Sequence, residues 1–168
     1  MITTEQYLLF SPYFAAIDTE KKEGRIQFLK VFEKAPQSIR NLITSTETIE
    51  KIVSACELFH MDKYDIEGVS YSIRKIALAE IPITTAVRFI ASETELSTEQ
   101  AQNLLGTILR DIFSSAIEDI KKIQHEKYPE LVQKSLVSQS KTPPHLKIPA
   151  PPTDINEGNI VDLRNPRN

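Results

Sequence analysis

Apolar residues recur at helical spacing through most of the chain, and the polar positions between them carry helix caps and stops. "TTEQYLLF" reads as one or two short apolar turns. Ser11 followed by Pro12 reads as an N-cap with proline at the first helical position, where its missing donor costs nothing. That helix is expected through Ile17. In "TEKKEGRIQFLKVFEKA" the residues Phe28, Leu29, Phe32 and Ala35 form one apolar face, weakened near its start by Gly24. Pro36 closes this helix and opens "PQSIRNLIT". Next, "STETIEKIVSACELFHM" places Ile49, Ile52, Val53, Cys56 and Phe59 on one stripe. "DIEGVSYSIRKIALAEI" does the same with Ile66, Val69, Ile73, Ile76 and Ala77. Pro82 opens "PITTAVRFIAS".

The longest pattern follows. Ser97 with Gln100 three residues later is a capping box. Behind it run Ala101, Leu104, Leu105, Ile108, Leu109, Ile112, Phe113, Ala116, Ile117, Ile120 and Ile123 in two adjacent rows. A single helix from Thr98 to about His125, roughly 42 Å long, is expected as the central helix of a bundle. Pro129 breaks it, and "ELVQKSLV" is expected to add a short helix. "PQSIRNLITSTETIEKIV" also echoes "PITTAVRFIASETELSTEQA": each reads as a proline-opened short helix, a Ser/Thr/Glu turn and a longer helix. Two copies fall short of the three that a solenoid needs.

From Ser138 the composition changes. Pro143, Pro144, Pro149, Pro151 and Pro152 exclude helix and interior strand, so an extended, solvated tail is expected. The expected architecture is all-α: a single helical bundle of about six or seven helices over residues 1–137, then a disordered proline-rich C-terminal tail over 138–168. With 168 residues and four glycines, the chain has length for one core and few sites for tight turns or phosphate cradles.

Charge is unevenly spread along the chain. Residues 1–120 carry 12 Lys/Arg against 18 Asp/Glu, while residues 121–168 carry 8 against 5, so a −6 body precedes a +3 end. Lys121, Lys122, Lys127, Lys134, Lys141 and Lys147 thread this end singly, without stacking aromatics. Binding to nucleic acid or another anionic surface through this basic region is the alternative reading, opposed by the acidic body; a regulator whose basic tail folds back on that body, and behind it an unrecognised enzyme, are the others. Cys56 is the only cysteine, so no intrachain disulfide forms, which fits a reducing, cytoplasmic setting. "MITTEQYLLFSPYFAAID" lacks a basic start, is interrupted by Pro12, and is too short to span a membrane.

Candidate chemistry is sparse. Cys56 and His60 stand four apart on a helix, but zinc needs three or four ligands, and His125 and His145 lack ligand spacing. Asp62 and Asp65 read as helix-start residues, and Cys56 as a buried apolar residue rather than a nucleophile. Glu118 and Asp119 are adjacent on a helix and read as solvated surface. No nucleotide-binding, metalloprotease or hydrolase motif occurs. The expectation is therefore no catalytic, cofactor-binding or metal residues, and no cofactor.

The cadence "FLKVFEKAPQSIRNLITSTETIEKI…ELSTEQAQNLLGTILRDIF" with a proline-rich segment and "GNIVDLRN" resembles uncharacterised small all-helical proteins of small-genome candidate-phyla bacteria. The resemblance implies a bacterial helical protein and lends no functional residues. The function expected is a non-enzymatic protein–protein interaction module, an adaptor or regulator, with a short linear motif in its tail. Ile160, Val161 and Leu163 are the candidate partner-binding residues. The partner is another protein or a second copy of the chain.

Overall fold

The structure, a computed structural model, describes residues 2–15 and 21–130. Among the described residues there are eight α-helices and no strand: α1 (Thr4–Phe10), α2 (Lys22–Lys34), α3 (Gln37–Thr44), α4 (Thr46–Glu57), α5 (Lys63–Ala77), α6 (Ala86–Glu93), α7 (Thr98–Thr107) and α8 (Ile117–Lys127). The all-α expectation holds. The short helix expected over "ELVQKSLV" starts at Glu130 and otherwise falls on residues beyond 130, and the proline-rich tail with Ile160, Val161 and Leu163 lies wholly there, outside the described residues.

Local signals account for most boundaries. Pro36 stands at the N-cap of α3, and Ser45 ends α3 and caps α4, accepting from the Glu47 N–H. Asp62 caps α5 by accepting from the Tyr64 and Asp65 N–H groups at 2.8 and 3.0 Å, which makes it the helix-start residue expected. The Ser97–Gln100 capping box forms, and a second joins Thr3 and Gln6 at the head of α1. Ser11 departs from expectation. It ends α1, and the Phe14 and Ala15 N–H groups bond its carbonyl at 3.0 Å in a tight turn instead of a helix. Ile17 lies outside the described residues.

The core is built around α5. Its buried set is Ile66, Gly68, Val69, Ser70, Ser72, Ile73, Arg74, Ile76 and Ala77, so burial runs well round the helix. α5 packs against α1, α4 and α6, and α6 packs against α7. The central helix is thus α5 and not the expected 98–125 helix. Small side chains at 68, 70 and 72 let neighbouring backbones come close.

The 98–125 segment is not one helix either. After α7 the backbone takes a π turn at Ile108–Ile112 and a 3₁₀ turn at Phe113–Ser115 before α8 starts. Through both turns Ile108, Ile112 and Phe113 stay buried, at 0, 2 and 0 % exposure. On α2, Phe28 is buried but Leu29 is 42 % exposed, against expectation, since a neighbouring position points about 100° away.

Polar side chains tie these helices together. Arg74 is wholly buried. Its Nη1 donates to the Ala15 carbonyl at 2.8 Å, and its guanidinium lies 4.6 Å from the Phe28 ring centre and 4.9 Å from that of Tyr71. It fastens the turn after α1, and α2 behind it, to the core helix. Tyr13 adds edge-to-face contacts with Phe14, Phe28 and Phe32. Gln124 on α8 donates to the Ile76 and Ile81 carbonyls at 2.8 and 3.0 Å and accepts from the Ile83 N–H at 3.1 Å. One side chain thereby satisfies three backbone groups where α5 ends. Asp119, expected to be solvated, accepts from the Ser38 hydroxyl and joins α8 to α3.

Candidate functional site

The surface beside the π turn is a groove. One wall is the outer face of α4, where Glu47, Lys51, Ser54 and Leu58 succeed one another three or four residues apart, with Glu50 alongside. Thr107, closing α7, and Asp111, within the π turn, form the other wall. Ala55 closes the floor. The space between is about 380 Å³. Leu58 is 73 % exposed, the most exposed of the large apolar side chains among the described residues. It lies beyond the last full turn of α4, where the helix ends on His60 in a left-handed conformation with φ 55°. The N–H groups of His60 and Met61 bond back to the Glu57 and Cys56 carbonyls, at 3.1 and 3.2 Å. This is a Schellman closure without its usual glycine.

Charges line the rim in pairs. Lys51 bonds Glu47 at 2.7 Å and holds that carboxyl below its ordinary range. Arg110 grips Asp111 through two bonds of 2.8 and 2.7 Å. That grip holds the Asp111 carboxyl down, with a smaller contribution from Lys51 across the groove. With Glu50, the rim holds three carboxylates against two cations. An apolar floor with a polar rim suits an amphipathic peptide.

A second cleft of about 370 Å³ lies where α2 meets α3, against the end of α5 and α8. Val31, Ala35, Pro36, Leu78, Ala79 and Ile123 line it. The end of α5 repeats the closure seen at α4. Ala79 has φ 50°, and its N–H and that of Glu80 return to the Ile76 and Lys75 carbonyls at 3.0 and 2.8 Å. Here an ion pair of 2.6 Å between Lys75 and Glu80 spans the motif, where two apolar side chains usually meet. Burial pushes the Lys75 ammonium down, but the bond to Glu80 and its charge outweigh this and raise it above its ordinary value. Tyr128 donates to the Ala79 carbonyl at 2.9 Å and pins the end of α8 there.

Cys56 is fully buried on the inner face of α4. Burial pushes its thiol up to about 12, helped by the charges of Asp65 and Glu57. His60 is exposed, and no group of three or more metal-ligating side chains occurs among the described residues. Nor is any helix among them long and apolar enough to cross a membrane. Leu58 and Asp111 were missed as site residues in the sequence. Their one signal is that Leu58 stands off the stripe of Ile49, Ile52 and Cys56.

No protein-family model matches the chain, and neither curated proteins nor solved structures include a significant match.

Proposed function

We propose that this chain is a non-enzymatic protein–protein interaction module, an adaptor or regulator, whose C-terminal region carries a short linear motif anchored by Ile160, Val161 and Leu163. One observation carries the reading: an apolar cluster set apart from an acidic helical body by a run of prolines. Proline-rich segments start extended, so they lose less entropy on binding, and an apolar anchor then supplies affinity. The stretch from Pro143 to Pro152 alone spans roughly 30 Å at about 3.1 Å per residue. Open grooves with apolar floors fit a body that meets peptides. A lone, buried cysteine suits a reducing cytoplasm.

The test is partner capture by the full chain, by a 1–139 truncation and by Leu163→Asp, at low and at physiological salt. Capture is expected to fall with both variants and to survive salt, since an apolar anchor is not screened as a basic patch is. Equal capture by all three proteins leaves the segment a solvated end. Capture that vanishes with salt alone assigns binding to the lysines and supports the anionic-surface reading.

A further inference from the structure

We infer that the groove between α4 and the π turn receives the chain's own residues 160–164, with Leu163 against Leu58 and Ala55 and with Arg164 beside the carboxylates of Glu50 and Asp111. This rests on the proposed anchor and adds its resting place.

Three observations support it. The first is the apolar match. Leu58 stands 73 % exposed over a floor closed by Ala55, and Ile160, Val161 and Leu163 form a compact apolar run. Burying exposed leucine against leucine is favourable at roughly 25 cal/mol per Å².

The second is charge. The rim carries three carboxylates, Glu47, Glu50 and Asp111, beside Lys51 and Arg110. Residues 160–167 carry Arg164 and Arg167 against Asp162, a net +1. Over longer range the net −5 of residues 1–130 attracts the net +2 of residues 131–168.

The third is reach. The described chain leaves the body beside Ala79, where Tyr128 is bonded, at the C-terminal end of α5. Leu58 lies just before the N-terminal end of the same helix, so the exit and the groove are separated by about the length of α5. At 15 residues that is roughly 22 Å. The stretch 131–159, with Pro143–Pro152 extended over about 30 Å and coil on either side, has a root-mean-square span of about 40 Å. A linker that exceeds the separation by less than about twofold still holds the anchor at an effective concentration of order millimolar. Even a weak anchor then occupies the groove in its own chain. A partner must displace it, and its apparent affinity falls by the fraction of chains in which the anchor is free.

The test uses the full chain with paired cysteines. Leu58→Cys/Leu163→Cys is compared with Leu29→Cys/Leu163→Cys, which places the second thiol on the exposed side of α2. Native Cys56 stays in place, buried, in both. Under mild oxidation at low micromolar concentration, an intrachain disulfide is expected to form at least tenfold faster in the groove pair. Adding Glu50→Lys and Asp111→Lys is expected to slow it several-fold. Equal rates in the two pairs, or disulfides that form only between chains, overturn the inference. The two proposals fail separately. Loss of capture in Leu163→Asp without a preference for Leu58 leaves the interaction module and removes the internal docking. A clear preference for Leu58 with capture unchanged by Leu163→Asp does the reverse.

Discussion

Gly68 lies against the backbone of Glu93 so closely that a methyl group on its α-carbon would stand 2.1 Å from the Glu93 carbonyl oxygen. This approach sets how α6 rests on α5, and the Glu95 N–H bond to Asp65 at 2.9 Å closes the same joint. Gly68→Ala is expected to destabilise by about 1–3 kcal/mol, toward the upper end because the obstructing atom is backbone. The gain that alanine normally brings to a helix interior, about 1 kcal/mol, is too small to offset this. Urea denaturation of the two proteins measures the difference. Equal or higher stability in the variant removes the close approach as a packing determinant.

His60 ends α4 in the left-handed region, which costs an L-residue roughly 1–2 kcal/mol. It is exposed, so no packing is lost on its removal. His60→Gly is expected to stabilise by about 0.5–1 kcal/mol after the added freedom of the unfolded chain is counted. Ala79→Gly relieves the same conformation but empties a methyl site that is 1 % exposed, so it is expected to be near neutral. Thermal melts of both variants decide this. A lower melting temperature for His60→Gly contradicts it.

Phe113 is wholly buried at the 3₁₀ turn between α7 and α8. Phe113→Ala is expected to cost about 3–5 kcal/mol through lost burial and the cavity left behind. Stability like that of the unaltered chain means that the neighbouring helices close over the gap.

Burial raises the Cys56 thiol to about 12 from an ordinary 9.0. Between those values the folded chain keeps a proton that the unfolded chain has released. This contribution to stability is therefore complete below 9.0 and is lost as pH rises toward 12. Chemical denaturation from pH 8 to 11 is expected to show declining stability, less steep in Cys56→Ala. The native thiol is also expected to react with a thiol reagent only through opening of the fold. Immediate stoichiometric labelling at pH 8 shows instead that the thiol is accessible.

The joints between helices are readable in the sequence because their signals are local. Pro36, Ser45, Asp62 and the Ser97–Gln100 pair each act within one turn. The centrality of α5 is not readable, because Gly68, Ser70, Ser72 and Arg74 are buried by what surrounds them and interrupt its apolar pattern. Ser70 bonds the Phe10 carbonyl at 2.7 Å, a partner sixty positions away. The closures at His60 and Ala79 escape notice because neither is glycine. The π turn escapes because i→i+4 and i→i+5 bonding place the same apolar residues inward over so short a run. Of the groove, the sequence carries one trace, Leu58 off its stripe. The facing wall depends on Asp111 being carried round by the π turn, which no local pattern marks.

That turn makes the length of this segment a matter of phase. A π turn holds one residue more than an α turn, so it works as an insertion absorbed in place. Deleting Arg110 alone would let the turn close as regular helix while the residues after it keep their angle, so Ile120 and Gln124 stay on the core. A one-residue deletion within α8, ahead of Ile120, has no slack to draw on and rotates every later residue by about 100°, which takes Gln124 from the carbonyls at the end of α5. Length variants that keep α8 seated should therefore differ by a single residue at the π turn, or by about a full turn elsewhere in the segment.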